Sequence, residues 1–328
     1  MTRIVTVANL KGGIGKTTTV INIGAGLALR GVKVLMIDTD PQGNLSSSLG
    51  VTAKHTLYEL MIEGMDAARC IVAARHNLDL IVADTTLLTA QTMMSRGAEW
   101  GRTIERALEP ISGYYDMILL DSSGSLNPLN ANALVAAHDI IAPTTVEPFS
   151  VRGLELLHQQ MRTMRGDANS IKLIVPTMYD PRSRQALELL ESLRQTYGSK
   201  ITQPIRTNVR LSESPMYGKS IFEYDPESRG AEDYRVLVDR IMESLEIVPT
   251  GNARPSIHQR NNPTSVAESS SQGIQSSSSY APRSGPAYDL QVCPRCGRDV
   301  RYTNAAGYRI MICNSCNYTK QILIRNVR

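Results

Sequence analysis

With 328 residues and 42% apolar side chains, the chain can build one large folded unit and a small one, which excludes a wholly disordered protein. Its net charge of +4 is uneven: residues 1–248 carry 25 Lys and Arg against 28 Asp and Glu, and residues 249–328 carry 10 against 3, so nonspecific attraction for a polyanion belongs to the C-terminal part. Apolar runs such as Val32–Ile37 are strand-sized, too short to span a bilayer, and the first residues run into a glycine-rich loop and do not read as a signal peptide; a cytoplasmic protein without membrane attachment is expected.

From Arg3 to about Glu246, short β-branched runs alternate with longer amphipathic stretches, the pattern of a doubly wound α/β domain with a mostly parallel sheet. The runs predict strands at Ile4–Ala8, Val32–Ile37, Leu78–Val82, Met117–Leu120, Ile140–Pro143 and Ile171–Thr177, and helices at Lys16–Arg30, Val151–Met164, Ser183–Tyr197 and Arg229–Leu245. Between Pro249 and Leu290, ten serines and five prolines replace the apolar residues, which predicts a disordered linker over 249–290. Cysteine pairs and aromatic residues return in 291–328 and mark a second, very small unit, so the first domain is expected to span 1–248.

The segment Val5 to Thr18 reads as strand, loop and helix, the context of a phosphate-binding loop. Glycines let successive backbone N–H groups turn toward phosphate oxygens, and the following helix adds its positive N-terminal end. In this P-loop reading, Lys11, Gly12, Gly13, Gly15, Lys16, Thr17 and Thr18 form the phosphate cradle; Lys16 neutralises the β and γ phosphates and the Thr17 hydroxyl binds Mg²⁺. The general pattern Gly-x-x-x-x-Gly-Lys-Ser/Thr is not met, because Leu10 stands at the first glycine, and a second lysine, Lys11, precedes the paired glycines.

With that second lysine, the chain resembles the deviant-Walker ATPases, the group of ParA/Soj, MinD and the nitrogenase iron protein. Asp38-Thr39-Asp40-Pro41-Gln42-Gly43-Asn44, Asn208 to Pro215, and Ser228-Arg229-Gly230-Ala231-Glu232 narrow the resemblance to ParA/Soj over roughly residues 1–246. The resemblance implies an ATPase that forms a homodimer on binding ATP, with Lys11 reaching the partner's nucleotide. It also implies Asp40 positioning the attacking water, Asp38 supporting the metal shell, Asp121 holding Mg²⁺ through water, and Asn208 contacting adenine. Arg182 and Arg210 match positions that bind DNA without sequence preference. Where the family usually has Cys-Pro-Pro after the aspartate, this chain has Ser122-Ser123-Gly124, a loop expected to be more flexible and to alter turnover more than binding.

Cys293, Cys296, Cys313 and Cys316 form a C-x₂-C-x₁₆-C-x₂-C pattern that suits a structural four-thiolate Zn²⁺ site, a zinc ribbon; redox-active pairs are the alternative. The ribbon segment carries Arg295, Arg298, Arg301, Arg309, Lys320, Arg325 and Arg328 against Asp299, with Tyr302, Tyr308 and Tyr318 interleaved, a composition that suits either nucleic acid or a partner protein. The expected function is a nucleoid-associated, ATP-driven DNA-partition motor whose hydrolysis is stimulated by a centromere-binding partner of the ParB type. The alternatives are a ParA-like ATPase that positions a protein cargo, and a zinc-ribbon DNA-binding regulator with weak ATPase activity. A membrane-associated regulator like MinD would need an amphipathic C-terminal helix, which the sequence lacks.

Overall fold

The computed structural model describes residues 2–94, 100–166, 168–250, 254–260, 298, 300–305, 308–312 and 319–323. The chain divides into two units, Met1–Ser265 and Val266–Arg328. The first is built on seven strands: β1 (Arg3–Val7), β2 (Val34–Asp38), β3 (Ile71–Arg75), β4 (Leu78–Ile81), β5 (Met117–Asp121), β6 (Asp139–Thr145) and β7 (Ile171–Thr177). Their order is β3-β4-β2-β5-β1-β6-β7, and every neighbouring pair is parallel except β3 with β4. All six expected strands form, with ends within two residues of those expected. The four expected helices also form, at Lys16–Leu29, Pro148–Arg165, Arg184–Tyr197 and Arg229–Ser244. The antiparallel strand β3 was not expected. It joins β4 through the two residues His76-Asn77, and Asn77 adopts the left-handed conformation (φ 58°) that such tight turns use.

The near-continuous apolar runs of the central strands follow from burial on both faces. On one face Val5, Val7, Val34, Met36, Met117 and Leu119 meet Val20, Ile23 and Leu27 of the helix Lys16–Leu29, which in turn packs under Leu237, Val238 and Ile241. On the other face Ile4, Leu35, Ile37, Ile118 and Leu120 meet Leu57, Leu87, Ile104, Leu108 and Leu129. Strand residues therefore alternate between two cores at a period of two, and each buried Leu or Ile contributes roughly 1.5–3 kcal/mol. The helix Lys16–Leu29 is buried on nearly all sides because it lies between the sheet and the helix Arg229–Ser244. Cys70 is fully buried in the second core, where burial pushes its thiol up to about 11, as befits an inert side chain.

The folded first unit continues past Pro249. Thr250 Oγ1 donates to Asp116 Oδ1 at 2.6 Å, Arg254 Nε lies 2.8 Å from the same oxygen, and Ile257 is 2% exposed in the second core. The expected linker over 249–290 is thus corrected at its start: Arg254 and Ile257 find partners distant in sequence, which local composition does not reveal. In the second unit, β8 (Arg301–Ala305), β9 (Tyr308–Ile312) and β10 (Thr319–Leu323) form an antiparallel sheet in the order β10-β9-β8. Cys293, Cys296, Cys313 and Cys316 lie outside the described residues, and with them the expected zinc site. No helix among the described residues is long and apolar enough to cross a membrane.

Candidate functional site

Parallel pairing of β2, β5 and β1 brings three strand ends together: Asp38 is in register with Asp121, and Asp121 with Val7. The loop after β1 and the helix Lys16–Leu29 sit at this edge, where parallel α/β sheets bind ligands. Gly13 and Gly15 have φ of 72° and 84°, a left-handed backbone that favours glycine. Gly15 stands at the helix N-cap without a side-chain cap, which leaves the first N–H groups of a fourteen-residue helix available to an anion. Lys16 is 7% exposed and donates from Nζ to the Lys11 carbonyl at 2.8 Å; burial lowers its pKa, against Asp121 and Asp40.

Asp121 is fully buried, and neither carboxylate oxygen is in hydrogen-bond geometry with any group, the nearby Thr17 hydroxyl included. Burial, with Asp38 alongside, pushes its carboxyl well above the usual carboxylate range; the Thr17 hydroxyl and Lys16 pull the other way. An unpartnered buried carboxylate is costly, and a bound cation would remove that cost. Among the described residues no group of three or more His, Cys, Asp or Glu forms a metal cage. Mg²⁺ fits such a place, because it takes one or two protein ligands and completes its shell with phosphate and water.

Asp38, expected to support the metal shell, is fully buried at the end of β2 beside Asp121. Its oxygens accept the backbone N–H groups of Asp40 at 2.9 Å and Leu45 at 3.0 Å, and burial pushes its pKa up to about 7. It therefore organises the loop that carries Asp40, whose own Oδ1 accepts from the Gln42 N–H at 3.0 Å.

Lys11 points back onto its own subunit, with Nζ 2.7 Å from Ser150 Oγ and 3.3 Å from Glu147 Oε2. No sequence motif marked Ser150 and Glu147, which lie at the start of a helix 136 and more residues away. Ser122-Ser123-Gly124 is tied down, contrary to the flexible loop expected. Ser122 Oγ donates to the Val7 carbonyl at 2.8 Å, and Asn130 accepts from the Ser123 N–H at 3.1 Å and donates to its carbonyl at 2.9 Å. A Cβ on Gly124 would lie 2.8 Å from Gly12 N, so glycine lets this loop press on the phosphate loop. Thr177 fastens the other flank, its hydroxyl donating to the Ile14 carbonyl at 2.9 Å.

Asn208 caps the helix Val209–Glu213 by accepting the Arg210 N–H at 2.8 Å, and its amide nitrogen faces the close approach of Gly230. Arg182 and Arg210 are exposed but paired: Arg182 with Asp180 at 2.9 Å, and Arg210 with Glu213 at 2.9 Å and Asp225 at 3.3 Å. The site thus joins Gly12, Gly13, Gly15, Lys16, Thr17, Thr18, Asp40 and Asp121 at one edge, with Lys11 folded back beside it.

Residues 2–173 match the family described as an AAA domain. The chain is 36% identical to the sporulation initiation inhibitor protein Soj of Bacillus subtilis, over 74% of this chain and 98% of that protein. It is 37% identical to the chromosome-partitioning ATPase Soj of Thermus thermophilus, over 74% of this chain and 97% of that protein. Among solved structures, the cobyrinic acid a,c-diamide synthase of Mycobacterium smegmatis, determined with an ATP analogue and magnesium, matches with a TM-score of 0.65 at 28% identity, covering 78% of this chain and 99% of that one. Identity at this level over nearly the whole length of both Soj proteins, joined to a deviant glycine loop on the matching sheet edge, makes the chain a member of the ParA/Soj family of P-loop ATPases.

Proposed function

We propose that the chain is a cytoplasmic, Mg²⁺-dependent ATPase that pairs as a homodimer on ATP, binds DNA without sequence preference and drives DNA partition, with hydrolysis stimulated by a ParB-like centromere-binding partner. The observation that carries the nucleotide part is the buried, unpartnered Asp121 carboxylate beside Lys16 and an uncapped glycine-turned helix start. In this reading the backbone of Gly12 to Thr18 and the Lys16 ammonium hold the triphosphate, Thr17 and Asp121 hold Mg²⁺, and Asn208 lies against adenine. Bound Mg²⁺ would supply positive charge to the phosphates. Asp40, steadied through Asp38, orients the attacking water. Lys11 leaves Ser150 and Glu147 to meet the partner's nucleotide, adding positive charge where the transferred phosphoryl group becomes more negative.

Support for the partition role comes from the chromosome-partitioning relative. Arg182 and Arg210 are the proposed DNA contacts. Their existing ion pairs favour a second reading, in which the same ATPase positions a protein cargo, because a phosphate would have to displace a carboxylate from each arginine. The four cysteines are proposed to hold one structural Zn²⁺, which four thiolates fit as a closed set; metal content of the intact protein, lost on Cys293→Ser, checks this. The ATPase reading is tested by light scattering and nucleotide binding. Lys16→Ala should abolish ATP binding, and Asp40→Ala should trap an ATP-bound, DNA-bound dimer. ATP-dependent cycling retained by both variants would refute it.

A further inference from the structure

The nucleotide chemistry leaves the chain after Pro249 without a task. Residues 254–260 are moored at the sheet edge opposite the nucleotide loops, where β1, β2 and β5 begin. Arg254 lies 2.8 Å from Asp116, just before β5; Lys33, before β2, donates to the Arg254 carbonyl; and His258 meets Asp79, near the start of β4, at 2.9 Å. Strands of five residues separate the two edges by about 16 Å at 3.3 Å per residue.

We propose that the C-terminal extension is a nucleic-acid-binding arm that works without nucleotide. Charge supports it first. Residues 1–248 are net negative, 25 Lys and Arg against 28 Asp and Glu, whereas residues 291–328 carry seven Arg and Lys against one Asp. A polyanion is attracted by that net positive charge and gains counterion release for each phosphate that a Lys or Arg neutralises. Strand register supports it next. Tyr302, Met311 and Lys320 pair across the three strands, and so do Asn304, Arg309 and Ile322, two positions along. Residues two apart share a sheet face, so Tyr302, Arg309 and Lys320 occupy one face. Two cations and an aromatic residue on one face match a phosphate backbone with an unstacked base. None of these residues belongs to the nucleotide loops, so their contact with a polyanion does not require ATP.

The test measures binding of the full-length chain, without nucleotide, to a labelled DNA duplex and the corresponding single strand across a salt series. The intact protein should bind both. The double variant Arg309→Gln, Lys320→Gln should lower the slope of log K against log salt by about 1.8 on duplex and about 1.4 on single strand, 0.9 and 0.7 per lost cation. Tyr302→Ala should weaken the single strand more than the duplex. Arg325→Gln, Arg328→Gln, beyond the strands, should produce the same slope change if the first variant fails to fold. No binding by the nucleotide-free intact chain, or an unchanged slope in a folded double variant, overturns the proposal and leaves a protein as the partner of this face.

Discussion

Two aspartates bracket strand β5, and they are buried to nearly the same degree: Asp116 is 5% exposed and Asp121 is 0% exposed. At the lower edge, Asp116 accepts from the Lys33 N–H at 2.9 Å and from the Thr250 hydroxyl at 2.6 Å, and pairs with Arg254 at 2.8 Å. At the upper edge, Asp121 has no hydrogen-bond partner on either oxygen. Burial alone therefore does not distinguish structure from function. A buried carboxylate whose partners are all in the fold serves stability, and one whose partners are missing is held for a ligand.

The difference can be broken most forcefully at the lower edge. Asp116→Ala would leave the Arg254 guanidinium, 15% exposed, without its carboxylate, and a buried pair broken on one side costs about 3–5 kcal/mol. Denaturant melts of the nucleotide-free protein should register that loss; a cost under about 1 kcal/mol would mean that Arg254 is not held as described. Ile257→Ala tests the same mooring through packing and should cost about 2–4 kcal/mol, as for other buried Ile truncations. If truncation of the chain after Pro249 left the melting temperature unchanged, the mooring would contribute nothing.

At the upper edge the expected effects are smaller for folding and larger for binding. Gly124→Ala would place a Cβ 2.8 Å from the Gly12 nitrogen, so the phosphate loop must shift, at a cost of about 1–3 kcal/mol with weaker ATP binding. Unchanged ATP affinity in this variant would show that the two loops are not pressed together. The least effect concerns pH. The Asp121 pKa is raised in the folded state, so the folded protein holds a proton that the unfolded chain has released. Stability from this group is thus lost as pH rises above the unfolded value of about 4 and regained as pH falls. The stability gained by Asp121→Asn over the parent protein should accordingly shrink as pH is lowered from about 8 to about 5. A difference that grows instead would contradict the assignment.

Much of the upper edge was legible because its signals are local. Lys11 to Thr18 carry their own geometry in glycines and lysines, and the apolar runs ending in Asp38 and Asp121 read directly as strands with a carboxylate at the tip. The lower edge was not legible. Arg254 and Ile257 sit in a serine- and proline-rich stretch, and their partners, Asp116 and the second core, are remote in sequence. The same limit applies to Ser122-Ser123-Gly124: three small residues read as a flexible loop until Val7 and Asn130 supply the bonds that fix them. Edge strand β3 escaped for want of a clear pattern, since only Ile71 of its five residues is buried. The parking of Lys11 on Ser150 and Glu147 depends on the approach of β6 to β1 and has no trace in local sequence.

One comparison tests the central claim most directly: ATP binding by the parent protein and by Asp121→Asn, each with and without Mg²⁺, alongside the melting temperature of each nucleotide-free protein. ATP should bind the parent more tightly when Mg²⁺ is added, and the variant should lose that increment while melting no lower than the parent. Equal Mg²⁺ dependence in the two proteins, or a melting temperature lowered as far as in Asp116→Ala, would contradict the account.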